Sequence, residues 1–157
     1  MPLARMSMYA KGVEVYVAPT ADSRDAWQAT IRHIACEGRC FVLSACQFVT
    51  KDLYPADFEA RDELEGAPDV LSRGGSAIIA PLGEYLAGPL FGQDGMLVAD
   101  LDLSLVVQSR FDFDVAGHCA RPDVFRLLVN EEPTPPVQAV QWGTEVEATP
   151  PQSARRT

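Results

Sequence analysis

Apolar positions along this chain alternate between helical spacing and continuous runs. Leu3, Met6 and Ala10 recur near a helical period, with Pro2 in the first turn, where its missing N–H is no loss, and Gly12 ending the run. Val13–Ala18 predicts a buried strand, with Val13, Val15 and Val17 on one face and Tyr16 on the other, closed by Pro19 and Thr20. A second helix follows. Trp27, Ile31, Ile34 and Ala35 fall at i, i+4, i+7 and i+8, the stripe of a helix with one buried face. Asp22 or Ser23 is expected to cap it, Asp25 adds charge to its first turn, and Gly38 is the expected stop. Cys40–Cys46 is apolar apart from Ser44, which predicts a central strand covered on both faces.

Beyond this point the pattern loosens. Residues 50–73 are acidic, contain Pro55 and Pro68 and keep no period, so they read as a long surface loop or lid with a helical turn. Ser76–Ala80 and Glu84–Ala87 flank Pro81-Leu82-Gly83 and predict a hairpin. Met96–Leu101 predicts a strand, Ser104–Arg110 a short helix and Val124–Val129 a last strand. From Glu131 on, prolines and scattered charges give a tail with little to bury, expected to be disordered. Early alternation of helix and strand, followed by a hairpin, predicts a layered α/β fold with a mixed sheet.

Composition narrows the function classes. At 157 residues, 47% hydrophobic and 22% charged, the chain is neither fibrous nor wholly disordered. The net charge of -9 is uneven, because residues 1–51 carry six bases against four acids and nearly all the negative charge lies beyond them. No stretch supplies a basic stripe, which argues against a nucleic-acid partner. No apolar run approaches the roughly 20 residues that cross a bilayer, so no membrane association is expected. Met1–Arg5 lacks the features of a secretory signal. Cys36, Cys40, Cys46 and Cys119 are too sparse for a disulfide scaffold, and free thiols in a reducing cytoplasm are expected. His33, Cys36 and Cys40 have a spacing that superficially suggests a metal site. A structural zinc needs four convergent ligands, and a strand begins at the third, so no metal is expected. Cys46 reads as a small buried thiol at a strand end. Thr20, Ala21, Asp22 and Trp27 follow the carboxyl end of a strand, where ligands bind in α/β sheets, and are the candidate pocket wall; turn and capping duty is the alternative for Asp22. Arg32 and Glu37, five apart on one helix, read either as a solvated or interhelical ion pair or as buried interface residues.

Several blocks carry a resemblance. Tyr9-Ala10-Lys11-Gly12-Val13, Ala18-Pro19-Thr20-Ala21-Asp22, Arg32-His33-Ile34-Ala35 and the dense run Glu37–Gln47 resemble the nitrilase branch of the carbon–nitrogen hydrolases. So do Gly74-Gly75-Ser76, Leu86-Ala87-Gly88-Pro89 and Gly117-His118 followed by Arg121-Pro122-Asp123, extending the match over roughly residues 1–132. The resemblance implies the C-terminal half of an α-β-β-α four-layer sandwich, with 1–106 the C-terminal part of the hydrolase domain, 107–130 an extension and assembly segment, and 131–157 a Pro-rich tail. It also implies a homo-oligomer acting on a small-molecule nitrile without metal or cofactor. In such enzymes a cysteine thiolate attacks the nitrile, forming a thioimidate that water converts to acid and ammonia, with a glutamate base and a lysine assisting. The family's nucleophile lies in a Cys-Trp-Glu-Asn motif just upstream of the Met-Pro-Leu that Met1-Pro2-Leu3 matches. All catalytic residues are therefore expected to precede Met1, neither Lys11 nor Lys51 matches the family lysine, and the isolated chain is expected to be inactive. Alternatives are a member that hydrates the nitrile to an amide, and a fragment with only an assembly role. The family also places the Thr20–Asp22 turn beside the nucleophile, and gives Arg32, Glu37 and His118 structural or assembly duty.

Overall fold

The most apolar run in the chain becomes the middle of a five-stranded mixed sheet. A computed structural model describes residues 1–133 and residue 137. Met1–Leu127 form one unit and Leu128–Thr157 another; most of the tail from Glu131 lies outside the described residues. In the first unit, β2 (Phe41–Ser44) pairs in parallel with β1 (Val15–Val17), matching Val15 to Phe41 and Val17 to Leu43. Its other neighbour is β4 (Val70–Ile79), antiparallel, with Val42 opposite Ile79. β3 (Phe48–Thr50) and β5 (Tyr85–Phe91) also pair with β4, both antiparallel.

The pleat of β2 sends successive side chains to two different cores. Val42 joins Tyr9, Ile31, Ile34, Ala35 and Ile79 beneath α1 (Pro2–Ala10) and α2 (Asp25–Gly38). Phe41 points the other way and meets Ala80 and Val106 of α4 (Ser104–Asp112), with Val15, Leu43 and Leu101 around them. Between β3 and β4, a 3-10 turn (Lys51–Leu53) and the short α3 (Arg61–Glu65) interrupt the acidic segment.

The structure corrects several expectations. Val13 and Tyr16 pack on the α1/α2 side and Val15 on the other, because Val13 lies ahead of the strand and its alternation. Val17 is 68% exposed. Neither Asp22 nor Ser23 caps α2. The cap position belongs to Arg24, and the Asp22 carboxylate instead accepts from the Arg24 backbone N–H at 3.0 Å. Residues 50–73 are only partly loop, since Thr50 ends β3 and Val70–Arg73 begin β4. Met96–Leu101 forms no strand. Met96 and Val98 are 86% and 78% exposed, and only Leu101 returns to the core. Apolar composition alone does not make a strand, and this segment forms no ladder with β5 or any other described strand. Val124–Val129 likewise runs exposed and irregular after a turn. The hairpin and the Ser104 helix form as expected.

Gly38 ends α2 as expected and has a second task. It is the last helical residue, and the left-handed conformation that ends α2 falls on Arg39 at φ 46°. What Gly38 provides is closeness. A Cβ there would collide with the ring of Tyr9, which is 5% exposed and locks α1 against α2. Gly38→Ala should gain about 1 kcal/mol of helix propensity but lose about 1–3 kcal/mol to overpacking. We expect a net loss in urea unfolding. A more stable variant would show that the Tyr9 ring moves aside freely.

Candidate substrate cleft

The turn after β1 stays attached to β2 well past the end of the strand. Ala18 N–H donates to Leu43 O at 2.8 Å and Thr20 N–H to Ala45 O at 2.9 Å, and Thr20 forms an isolated parallel bridge with Cys46. Ser76 of β4 fixes the other flank. Its Oγ accepts from Cys46 N–H at 3.0 Å and donates to Cys46 O at 3.1 Å. Three segments far apart in sequence are thereby held at one end of the sheet.

They enclose a cleft of about 900 Å³. Its wall comprises Thr20 and Ala21 from the β1 turn, Ala45–Val49, Leu53 from the 3-10 turn, Ser72 and Ser76 of β4, Leu90 of β5, and Gln93–Gly95 beyond it. Of the four residues expected to form a pocket, Thr20 and Ala21 line this cleft and Asp22 and Trp27 do not. Trp27 stands behind the wall. Its Nε1–H donates to Ser44 Oγ at 2.9 Å, and Ser44 Oγ donates to Ala18 O at 2.9 Å, so the indole braces the strand that carries the turn. Asp22 is spent on Arg24, whose guanidinium and backbone N–H hold its carboxyl at about 2. Thr20 Oγ1 accepts from Asp22 N–H at 2.9 Å, which tightens the turn.

Sequence reasoning missed most of the wall. Gly74-Gly75-Ser76 was a visible signal for Ser76, because Gly74 adopts φ +79° and a Cβ there would lie 3.1 Å from Leu90 O. Cys46, read as a buried thiol, is 5% exposed and also borders the cleft. Nothing in the local sequence marked Leu53, Gln93 or Asp94. The metal-like trio stays apart: His33 meets Glu37 at 3.0 Å, Cys36 lies against Gly83, and Cys40 is buried, which pushes its thiol up to about 11. Among the described residues no three His, Cys, Asp or Glu side chains converge on a point. The cleft can hold a small organic molecule between apolar and hydroxyl-bearing walls.

The family model for carbon–nitrogen hydrolases matches residues 1–111. The chain belongs to that family. Within it, the chain falls in the nitrilase branch. It is 55% identical over 134 residues to an aliphatic nitrilase of Sinorhizobium fredii (strain HH103), covering 85% of this chain and 43% of the relative. It is 51% identical over 141 residues to nitrilase 2 of Arabidopsis thaliana, covering 87% and 42%. A bifunctional nitrilase/nitrile hydratase of Lupinus angustifolius is 50% identical over 151 residues, covering 94% and 43%. The crystal structure of a carbon–nitrogen hydrolase from Helicobacter pylori G27 superposes with a TM-score of 0.60 at 18% identity, over 80% of this chain and 43% of that one, and supports the fold. The chain thus spans less than half the length of these relatives.

In this carbon–nitrogen hydrolase Arg32 and Glu37 do not pair with each other. Arg32 Nε–H donates to Gly83 O at 2.9 Å and its guanidinium lies 5.6 Å from the Tyr85 ring, tying α2 to the hairpin turn. Glu37 takes Arg5 of α1 at 3.1 Å and His33 at 3.0 Å. Helix geometry explains the split, because residues five apart do not share a face as residues four apart do. His118 is exposed in a turn. Partial burial alone would raise the Glu37 carboxyl, but Arg5, with Tyr9 and His33 adding to it, outweighs burial and holds it below the usual range. A carboxyl lowered on folding stabilises the fold above its unfolded value of about 4.3, and that stabilisation fades as pH falls through the folded value. Melting temperature should therefore drop from about pH 5 to pH 3 more steeply in the wild type than in Glu37→Gln. Parallel profiles would show that the Arg5 pair contributes nothing.

Proposed function

We propose that this protein serves nitrile hydrolysis, in which R–C≡N and two waters give R–COOH and NH₃ through a cysteine thioimidate. The observation that carries the reading is the cleft at the strand end, walled by Thr20 and Ala21, in a chain more than half identical to an aliphatic nitrilase. Thr20 and Ala21 face the substrate in this reading, while Asp22 and Trp27 hold the turn that presents them. The attacking thiolate, its base and the lysine belong to the family set. The Cys-Trp-Glu-Asn motif does not occur in these 157 residues. Cys46 serves in this reading as part of the cleft wall, with both its backbone groups held by Ser76.

Hydration to the amide is the second reading, favoured by 50% identity to a bifunctional nitrilase/nitrile hydratase. Assembly with a second copy is part of the proposal. An apolar hollow of about 710 Å³ lies among Pro2, Leu3, Met6 and Tyr9 of α1 and His33 and Cys36 of α2, and Leu3 is 64% exposed beside it. Four free cysteines support a reducing compartment, the cytoplasm.

The test is a chimera in which this chain replaces the matching segment of the Sinorhizobium fredii relative. It should convert an aliphatic nitrile to acid and ammonia, and light scattering should find it larger than a monomer. A folded chimera that releases neither acid nor amide would remove the catalytic reading, and a monomer would remove the assembly. The 157 residues alone should release no ammonia. Turnover by the chain alone that Cys46→Ala abolishes would make Cys46 a nucleophile and overturn this assignment.

A further inference from the structure

We propose that the cleft is an electrostatic filter, which accepts neutral nitriles and amides and turns away the carboxylates made from them, with Asp94 setting the sign at its wall. The inference rests on the reading of the cleft as the nitrile pocket. Among the described residues that line it, Asp94 alone carries a charge. It is exposed, and it has no ion-pair partner among the described residues.

The bases nearest the wall in sequence offer no compensation. Arg24 pairs with Asp22 at 2.7 Å, Lys51 with Asp69 at 3.8 Å, and Arg73 with Asp25. The segment that brings Leu53 into the wall, residues 51–69, holds seven acids against two bases, and its second base, Arg61, donates to Tyr54 O at 2.9 Å. A cleft bordered by one sign of charge, in a chain of net charge -9, concentrates a negative potential where a ligand enters.

The chemistry makes that sign useful. A nitrile and its amide are neutral, whereas the acid, with an ordinary carboxyl pKa of about 4, is an anion at neutral pH. Negative charge therefore appears on the ligand only at the last step, when the second water breaks the bond to the cysteine sulfur and frees the acid. Repulsion from Asp94 then acts on product and not on substrate, speeding release and weakening product inhibition.

Phenylacetamide and phenylacetate differ only in that terminal group and serve as the probes, titrated into the 157-residue chain at pH 7 and followed by ligand-observed NMR. In about 20 mM salt the amide should bind about three- to fivefold more tightly than the carboxylate, the range open to one exposed charge. About 500 mM salt should close most of that gap. Asp94→Asn should narrow it and Asp94→Lys should reverse it, with melting curves confirming that both variants fold. Equal binding of the two probes at low salt, or a ratio that Asp94→Lys leaves unmoved, overturns the filter and leaves the pocket standing. Binding of neither probe removes both.

Discussion

β2 has to be buried on both faces and paired on both edges at once, and the rest of the unit is arranged to meet that demand. A parallel neighbour cannot be reached by a tight turn, so the chain between β1 and β2 must cross over, and α2 is that crossover. Once α2 covers the Val42 face, Phe41 on the opposite face needs its own cover, and α4 supplies Val106 from more than sixty residues away. The cleft follows from the same arrangement. It opens where the β1–β2 ladder runs out, with the Thr20–Cys46 bridge as its last rung.

Polar side chains inside the unit are spent on holding this frame. Gln28 donates to Gly75 O at 2.7 Å and accepts from Tyr85 OH at 3.1 Å, and Ser44 links Trp27 to Ala18. Among the described residues no buried side-chain nitrogen or oxygen lacks a partner. A hydroxyl already committed to two backbone atoms, as Ser76 is, makes a poor chemical participant and a good support. These residues therefore shape the cleft.

Features that depend on periodicity were legible in the sequence. The Trp27–Ala35 stripe, the Cys40–Cys46 run and the Pro81–Gly83 turn each became the expected element, because each is decided by local chemistry and one buried face. Features that depend on what lies opposite were not. Gly38 looks like no more than a helix stop until Tyr9 is seen against it. Met96–Leu101 has the composition of a strand but runs unpaired. The site divides in the same way. Thr20 and Ala21 could be placed from a strand end, whereas Trp27 and Asp22 look identical in sequence whether they face a ligand or brace a turn, and Asp94 enters the wall only through the pairing of β5 with β4.

The acidic segment between β3 and β4 is closed at its neck. Lys51 N–H donates to Asp69 O at 3.0 Å, directly beside the Thr50–Val70 pair, so both strands are complete before the excursion starts and after it returns. Such a segment is modular in the engineering sense. Lengthening a flexible loop twofold costs only about 0.6 kcal/mol of closure entropy, and none of that cost falls on β2 or its neighbours. The sheet can remain constant while residues 52–68 are exchanged wholesale, so the charge and bulk at the cleft's border can diversify on a timetable separate from that of the fold.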